Sequence, residues 1–271
     1  MDRETGMYYY GARYYDPRIS IFVSVDPLAE QTMEPYLYTG NNPIMFTDPT
    51  GMSKEGGEHD YRLNKDGSMT TIRETKDTYD RIFAEGDEEQ PPLYVDKSFT
   101  NSLKNPKYEG SYEGKISSRM LKTYGKAIFR FFANNTDREW SYSEFTNENT
   151  GERFANIVTS YNKGTVQGIS YYIKDILGGD SNINWDYNVH SHPNTASSKN
   201  FYPSGWTYNK LGNLAKSIRK SDGKPNGDRG FYQSFKQDSK YNTRMPEYLE
   251  VYSPKLNKSI LYNDETFFPN N

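Results

Sequence analysis

Residues 185–193 read WDYNVHSHP, and the reading of this stretch decides the rest. It reads as a β-strand that ends at Pro193. In a strand, residues i and i+2 point to one face, so His190 and His192 present two imidazoles to one point. Pro193 lets the chain turn away and leaves the pair at a rim. The chain has only three histidines, and two of them stand here. Neutral imidazole is a good zinc ligand, at about 2.0–2.1 Å. By itself, however, an H-x-H pair is more often a hydrogen-bonded polar edge than a metal site.

Composition narrows the chemistry. The 271 residues suffice for one large or two modest domains. A net charge of −3 and a pI near 5.8 give no global pull toward nucleic acid or membrane. Mean hydropathy is −0.98, polar for a packed protein, yet aromatics reach 15%, more than a disordered chain carries. Folded parts joined by polar segments are expected. The absence of cysteine excludes disulfides, thiolate metal sites and a cysteine nucleophile, so any metal must use His and carboxylates. The N-terminal MDRETGMYYY lacks a charged-then-apolar signal pattern, and no run of about 18 apolar residues occurs. The chain is expected to be soluble, and to leave a cell only if something else carries it.

Around the histidine strand the pattern is mixed. ISSRMLKTYGKAIFRFFANNT places apolar residues at helical spacing and predicts a helix ending near Asn134–Asn135. Strands are expected at 140–146, 153–161 and 168–174, and helices near 207–220 and 229–238. EYLEVYSP and SILYND read as a closing strand pair around KLNK. This order suggests an α+β domain. Further upstream, residues 53–115 read as a polar linker. It holds a hairpin around Asp66–Gly67 and an acidic connector, EGDEEQPP. His59 is expected to be a solvated linker residue without a role. Residues 1–52 are rich in Tyr, Pro, Gly and Asn. There GMYYYGARYYDP suits a strand, a turn and a strand, and GNNPIMFTDPTG ends in turn chemistry.

The segment RETGMYYYGARYYDPRISIFVSVDPLAE, followed by YLYTGNNPIMFTDPTGM, resembles the core motif of Rhs/YD-repeat proteins. In that family the motif closes a large β-cocoon and separates it from a variable C-terminal toxin. Some members cut themselves just after it with paired aspartates. The resemblance puts Asp26 and Asp48 in that pair and Met52 before the cut. Two carboxylates sharing a site can split their pKa values into one acid and one base. Ala29 replaces the usual Gly, Met52 replaces Leu, and the cocoon repeats do not occur in these residues. Both Asp-Pro pairs also read simply as turns.

HSHP with PSG at 203–205 resembles the JAB/MPN-type (JAMM) metalloprotease signature: an upstream Glu, His-x-His-Pro, then Ser-x-x-Asp. The resemblance implies zinc held by His190, His192 and an Asp, a Glu as general base, and a Ser near the oxyanion. Glu139 takes the place of the Glu, with Glu144 as an alternative, and Ser204 that of the Ser. Ser-x-x-Asp requires an aspartate at 207, where the chain has Thr207. Asp186 is badly placed. Asp228, directly before an expected helix, is preferred as third ligand, and Asp222 is the alternative. Residues 206–227 are then an insertion.

The larger pattern over 115–264 is similar to the JAB-like toxin domains found behind Rhs cores. That similarity implies an α+β fold with a mixed β-sheet flanked by helices, JAB/MPN-like in a cytidine-deaminase-like arrangement. A small β-rich Rhs remnant precedes it, so the expected domains are 1–52, a linker 53–115, and 116–271. It also implies an interbacterial Rhs effector toxin that hydrolyses peptide or isopeptide bonds of a protein substrate in a target cell. Such a toxin needs a secretion apparatus acting through the Rhs portion and a cognate immunity protein. Two other readings stay open: a nuclease toxin, and a non-catalytic JAB-fold binding module. Residues 197–247 carry ten Lys/Arg against four Asp/Glu, interleaved with aromatics. That pattern can contact nucleic acid, though it is more often a solvated face over a packed core.

Overall fold

A computed structural model describes residues 5–25, 35–38, 59–73, 79–87, 90–104, 106–108, 111–163, 166, 169–193, 201–211 and 213–270. Asp26, Asp48 and Met52 lie outside the described residues, as does the GNNPIMFTDPTG turn region. The chain divides into two units. One comprises residues 1–60 and 72–80, the other 61–71 and 81–271.

In the smaller unit, β1 (Tyr8–Tyr9), β2 (Tyr14–Asp16) and β3 (Ile21–Phe22) form an antiparallel sheet. Gly11, at φ +92°, supplies the left-handed turn between β1 and β2. The rings of Tyr10, Tyr15, Phe22 and Tyr38 interlock at centroid distances of 4.2–6.0 Å. The Arg13 guanidinium lies 3.8 Å from the Phe22 ring centroid. The tyrosine-rich sequence thus packs ring on ring.

The segment expected to be a linker is largely structured. β4 (His59–Leu63), β5 (Met69–Arg73), β6 (Tyr79–Ala84) and β7 (Leu93–Asp96) form a sheet in the order β5-β4-β6-β7. Gly67, at φ +83°, makes the expected hairpin turn. Helix α1 (Lys97–Lys104) follows. Tyr61, Leu63, Ile82, Val95, Phe99 and Leu103 are buried in the same core as Phe132 and Trp140. Apolar residues here are few, but the buried ones recur at alternate strand positions, Tyr61 with Leu63 and Leu93 with Val95, which the polar average conceals. His59 opens β4 and is half-buried, not part of a solvated linker.

The main sheet has eight strands, ordered β17-β16-β15-β12-β10-β11-β9-β8. They are β8 (Pro106–Tyr108), β9 (Ser111–Ile116), β10 (Trp140–Asn147), β11 (Arg153–Thr159), β12 (Ile183–Ser191), β15 (Leu249–Ser253), β16 (Lys258–Tyr262) and β17 (Phe267–Asn270). β12 pairs with β15 in parallel and with β10 antiparallel, so the sheet is mixed, as expected.

Helices cover both faces. On one, α2 (Ser118–Tyr124) and α3 (Lys126–Asn135) replace the single expected helix, because Gly125 at φ +46° breaks it. α3 buries Ile128, Phe129, Phe132 and Ala133 in a core with Trp140, Tyr142 and Val189. On the other face, α4 (Ile169–Gly179) and α5 (Gly227–Lys236) bury Ile173, Leu177, Tyr232 and Phe235 with Phe145, Trp185 and Val251.

Two expectations fail. The strand at 168–174 is helix α4, since Ile169, Tyr172, Ile173, Ile176 and Leu177 recur at helical spacing. The helix at 207–220 is instead a small hairpin of β13 (Trp206–Tyr208) and β14 (Leu214–Lys216). Its apolar residues form no buried stripe: Leu211, Leu214 and Ile218 are all exposed.

One irregularity positions the site. Opposite β10, Phe145 faces Trp185 and Glu144 faces Tyr187, so Asp186 is an extra residue, a β-bulge. The bulge shifts the alternation by one. Trp185 and, beyond the bulge, Asn188 and His190 therefore share the face covered by α4 and α5.

Candidate metal centre

β12 carries His190 and ends at Ser191, with His192 held next by its N–H donating to the Tyr252 carbonyl at 2.7 Å. The register that pairs Ser141 with His190 brings Glu139, just before β10, alongside His192. The Glu139 N–H donates to the Asn162 carbonyl at 2.9 Å, which fixes its backbone.

Asp228 arrives from the first turn of α5. Its N–H donates to Ser204 Oγ at 2.8 Å, and the Ser204 N–H donates back to Asp228 Oδ2 at 2.6 Å. The N-cap residue Asn226 makes no side-chain cap, so Ser204 caps this helix from a distant part of the chain. The contact is close because two glycines permit it. A Cβ on Gly227 (φ +58°) would lie 2.1 Å from Ser204 Oγ, and one on Gly205 (φ +90°) would lie 2.3 Å from the Asn226 carbonyl oxygen.

Donor atoms of His190, His192 and Asp228 lie within 4.8 Å of one another. The two Nε2 atoms are 3.1 Å apart. His190 Nε2 is 3.0 Å from Asp228 Oδ1, and His192 Nε2 is 3.5 Å from Asp228 Oδ2. Ligands about 2.0–2.1 Å from a tetrahedral zinc stand about 3.3 Å apart, so the donor set fits that ion. Glu139 Oε1 is 3.8 Å from His192 Nε2 and belongs beside the three rather than among them.

The electrostatics separate the two carboxylates. Burial pushes the Glu139 carboxyl above its ordinary value, although the charges of His190 and His192 act against it. Burial also opposes ionisation of Asp228, but the two imidazoles hold it well below the carboxylate range. For His192, burial acts downward, and Asp228 and Glu139 together outweigh it and raise the value.

These groups line a cavity of about 420 Å³. Val166, Ile169 and Phe231 give it an apolar wall, and Ser141, Asn188 and Ser204 a polar one. Sequence reasoning passed over Asn188. Its amide nitrogen donates to Ser141 Oγ (3.0 Å) and Ser143 Oγ (2.9 Å), tying β12 to β10 directly below the histidines. The signal was its place two residues before His190.

The other candidates lie elsewhere. Asp222 pairs with Arg219 at 2.9 Å and accepts from the Lys224 N–H, in an exposed turn. Glu144 is engaged by Arg153 at 2.6 Å and by the Tyr142 hydroxyl at 2.9 Å. Asp186 accepts from Thr146 Oγ1. Thr207 sits in β13 opposite Ala215.

Residues 120–233 match the family model described as JAB-like toxin 1, a span that contains all five site residues. This part of the chain is similar to JAB-like toxins. Among curated proteins, the chain is 30% identical over 141 residues to Toxin subunit YenC2 of Yersinia entomophaga, covering 44% of this chain and 14% of that protein. It is 52% identical over 50 residues to Salivary gland surface protein 1 of Aedes aegypti, and 46% identical over 55 residues to tRNA nuclease WapA of Bacillus subtilis (strain 168). Each of these two matches covers 18% of this chain and 2% of the relative, so the chain spans only a small part of their length. No solved structure matches the chain. No helix among the described residues is long and apolar enough to cross a membrane.

Proposed function

We propose that residues 116–271 form a toxin domain that hydrolyses peptide or isopeptide bonds, with zinc held by His190, His192 and Asp228. The observation that carries this reading is the convergence of three donor atoms beside a separate, buried glutamate. A zinc ion bound there supplies a Lewis acid that acidifies water and polarises a carbonyl. Glu139, made more basic by burial, takes the proton of the attacking water and returns it to the leaving amine. Ser204 Oγ already accepts the Asp228 N–H, so its own proton is available to the oxygen that gains charge. The apolar wall of Val166, Ile169 and Phe231 receives a substrate side chain and keeps bulk water from one side.

The N-terminal segment is read as an Rhs core remnant through which a secretion apparatus carries the domain to a target cell. A cognate immunity protein protects the producer. Cleavage after Met52 by Asp26 and Asp48 belongs to the same reading, and the intact mass of the purified chain tests it.

Expression of the chain in a bacterial cytoplasm is expected to arrest growth, and the purified protein to hold zinc at one equivalent. His192→Ala removes both. Glu139→Gln keeps the zinc and loses the toxicity. Toxicity that survives both His190→Ala and Glu139→Ala overturns the proposal. Degradation of tRNA by the purified protein moves it to a nuclease, the activity for which WapA of Bacillus subtilis is named.

A further inference from the structure

A second groove, of about 460 Å³, begins where the metal cavity ends: Lys163 and Pro193 line both. Lys65 and Lys255 complete a set of three lysines there, with Asp137 as the one carboxylate among the described lining residues. The local balance is two positive charges in a chain whose net charge is −3. Lys163 pairs with Asp137 at 3.1 Å, with both side chains half exposed. Lys65 and Lys255 are exposed and their ammonium groups make no ion pair among the described residues, while the Lys65 N–H donates to Glu85 Oε2 at 2.7 Å.

The groove also borders the C-terminal end of α3, whose carbonyls attract cations. Two carbonyls near that end already have side-chain donors. Asn135 Nδ2 donates to the Phe131 carbonyl at 2.8 Å, and Thr136 Oγ1 to that of Phe132 at 2.9 Å. Lys65 and the neighbour of Lys163 are tied through backbone to the segment that carries Glu139. The Asp137 N–H donates to the Lys65 carbonyl at 2.8 Å, and Glu139 is tied to Asn162, the neighbour of Lys163.

From this charge and placement we propose that the groove is a substrate subsite for an acidic stretch of polypeptide. It lies on the Pro193 side of the scissile bond, and the side chain on the other part of the substrate enters the apolar wall of the metal cavity. The inference rests on the hydrolase reading for its purpose but not for its test. Polypeptide is favoured over nucleic acid because none of the described residues lining the groove is aromatic, whereas single-stranded nucleic acid is held by stacking as well as charge.

The test is a binding measurement on the full chain carrying Glu139→Gln, so that no turnover is needed. The probes are fluorescein-labelled hexaglutamate, hexaglutamine and a single-stranded RNA 12-mer, read by polarisation at low salt. Hexaglutamate is expected to bind at least about tenfold tighter than hexaglutamine, an advantage that falls with added salt. Lys65→Glu with Lys255→Glu should weaken it by about tenfold, because reversal replaces two attractions with two repulsions. Lys65→Arg with Lys255→Arg should preserve it, and zinc content should not change in either variant. Equal binding of the two peptides overturns the proposal, as does an unaffected double reversal. RNA bound more tightly than hexaglutamate, and lost on the same reversal, assigns the groove to nucleic acid instead.

Discussion

Gly227→Ala tests the joint that delivers Asp228 to the histidines. Its Cβ would lie 2.1 Å from Ser204 Oγ, 2.6 Å from Ser204 Cβ and 2.9 Å from the Ser204 carbonyl carbon. Ordinary contact begins at 3.4 Å, so the two segments must part by roughly 1 Å. The left-handed backbone itself costs a residue with a Cβ about 1–2 kcal/mol. Parting the segments stretches the two Ser204–Asp228 hydrogen bonds, each contributing about 1 kcal/mol. The sum is about 3 kcal/mol of stability. Asp228 Oδ1 now stands 3.0 Å from His190 Nε2 and would be drawn off, so zinc affinity should fall by about 10–100-fold. Gly223→Ala is the control. It has a similar φ of +68° but open space around its Cβ, so it should cost about 1–2 kcal/mol and leave zinc binding alone. Urea unfolding of the metal-free protein, followed by the fluorescence of buried Trp140 and Trp185, measures the first quantity. Competition with a chromophoric zinc chelator measures the second. If Gly227→Ala is as stable as Gly223→Ala and holds zinc within about twofold of the parent, the reasoning about this joint is wrong.

Three further outcomes are expected. Asp228→Ala should abolish tight zinc binding while Asp222→Ala leaves it unchanged, as metal titration of the two variants will show. Phe132→Ala should lower stability by about 3–5 kcal/mol, because this fully buried ring packs 4.6 Å from Trp140; denaturant unfolding reads it. Hydrogen bonds from the Asn182 N–H and side chain and from Asn147 hold the Asp180 carboxyl below its ordinary value. A depressed pKa means a contribution that is complete above about pH 4 and lost as pH falls through the folded value. Carbon-detected NMR titration should place the Asp180 midpoint below that of an exposed aspartate, and Asn182→Ala should move it upward.

Much of the site's geometry could be read from residue patterns, because it depends on local rules. The i, i+2 spacing of His190 and His192 needs only a strand to bring them together. The third member of the cluster, Asp228, was harder to find. The hairpin at 206–216 lies between Ser204 and Asp228, and no spacing rule crosses an insertion of that length. Gly205 and Gly227 mark where the chain closes again, but their role depends on a contact between distant segments. The 168–174 stretch resembles a strand because ISYYIKDI is rich in β-branched and aromatic residues, while its helical period shows only over the longer span 169–177. The 207–220 stretch misled in the opposite way, since its helical spacing of leucines and isoleucine meets no core. The segment 59–104 was hidden by averaging: its charged residues outnumber a buried minority that joins the main core.

The bulge at Asp186 gives β12 two independent halves. Up to Trp185 the strand answers to the core, and beyond it the strand answers to chemistry. Without the bulge, a regular ladder through all of these residues could keep Trp185 in its core or His190 in its cavity, but not both. Gain of a further residue between Trp185 and Asn188 would have to be absorbed by a wider bulge, or it would turn the histidine half over relative to the core half. A one-codon deletion of Asp186 should instead straighten the strand and leave Trp185 and His190 on their shared face, since they would then stand an even number of positions apart.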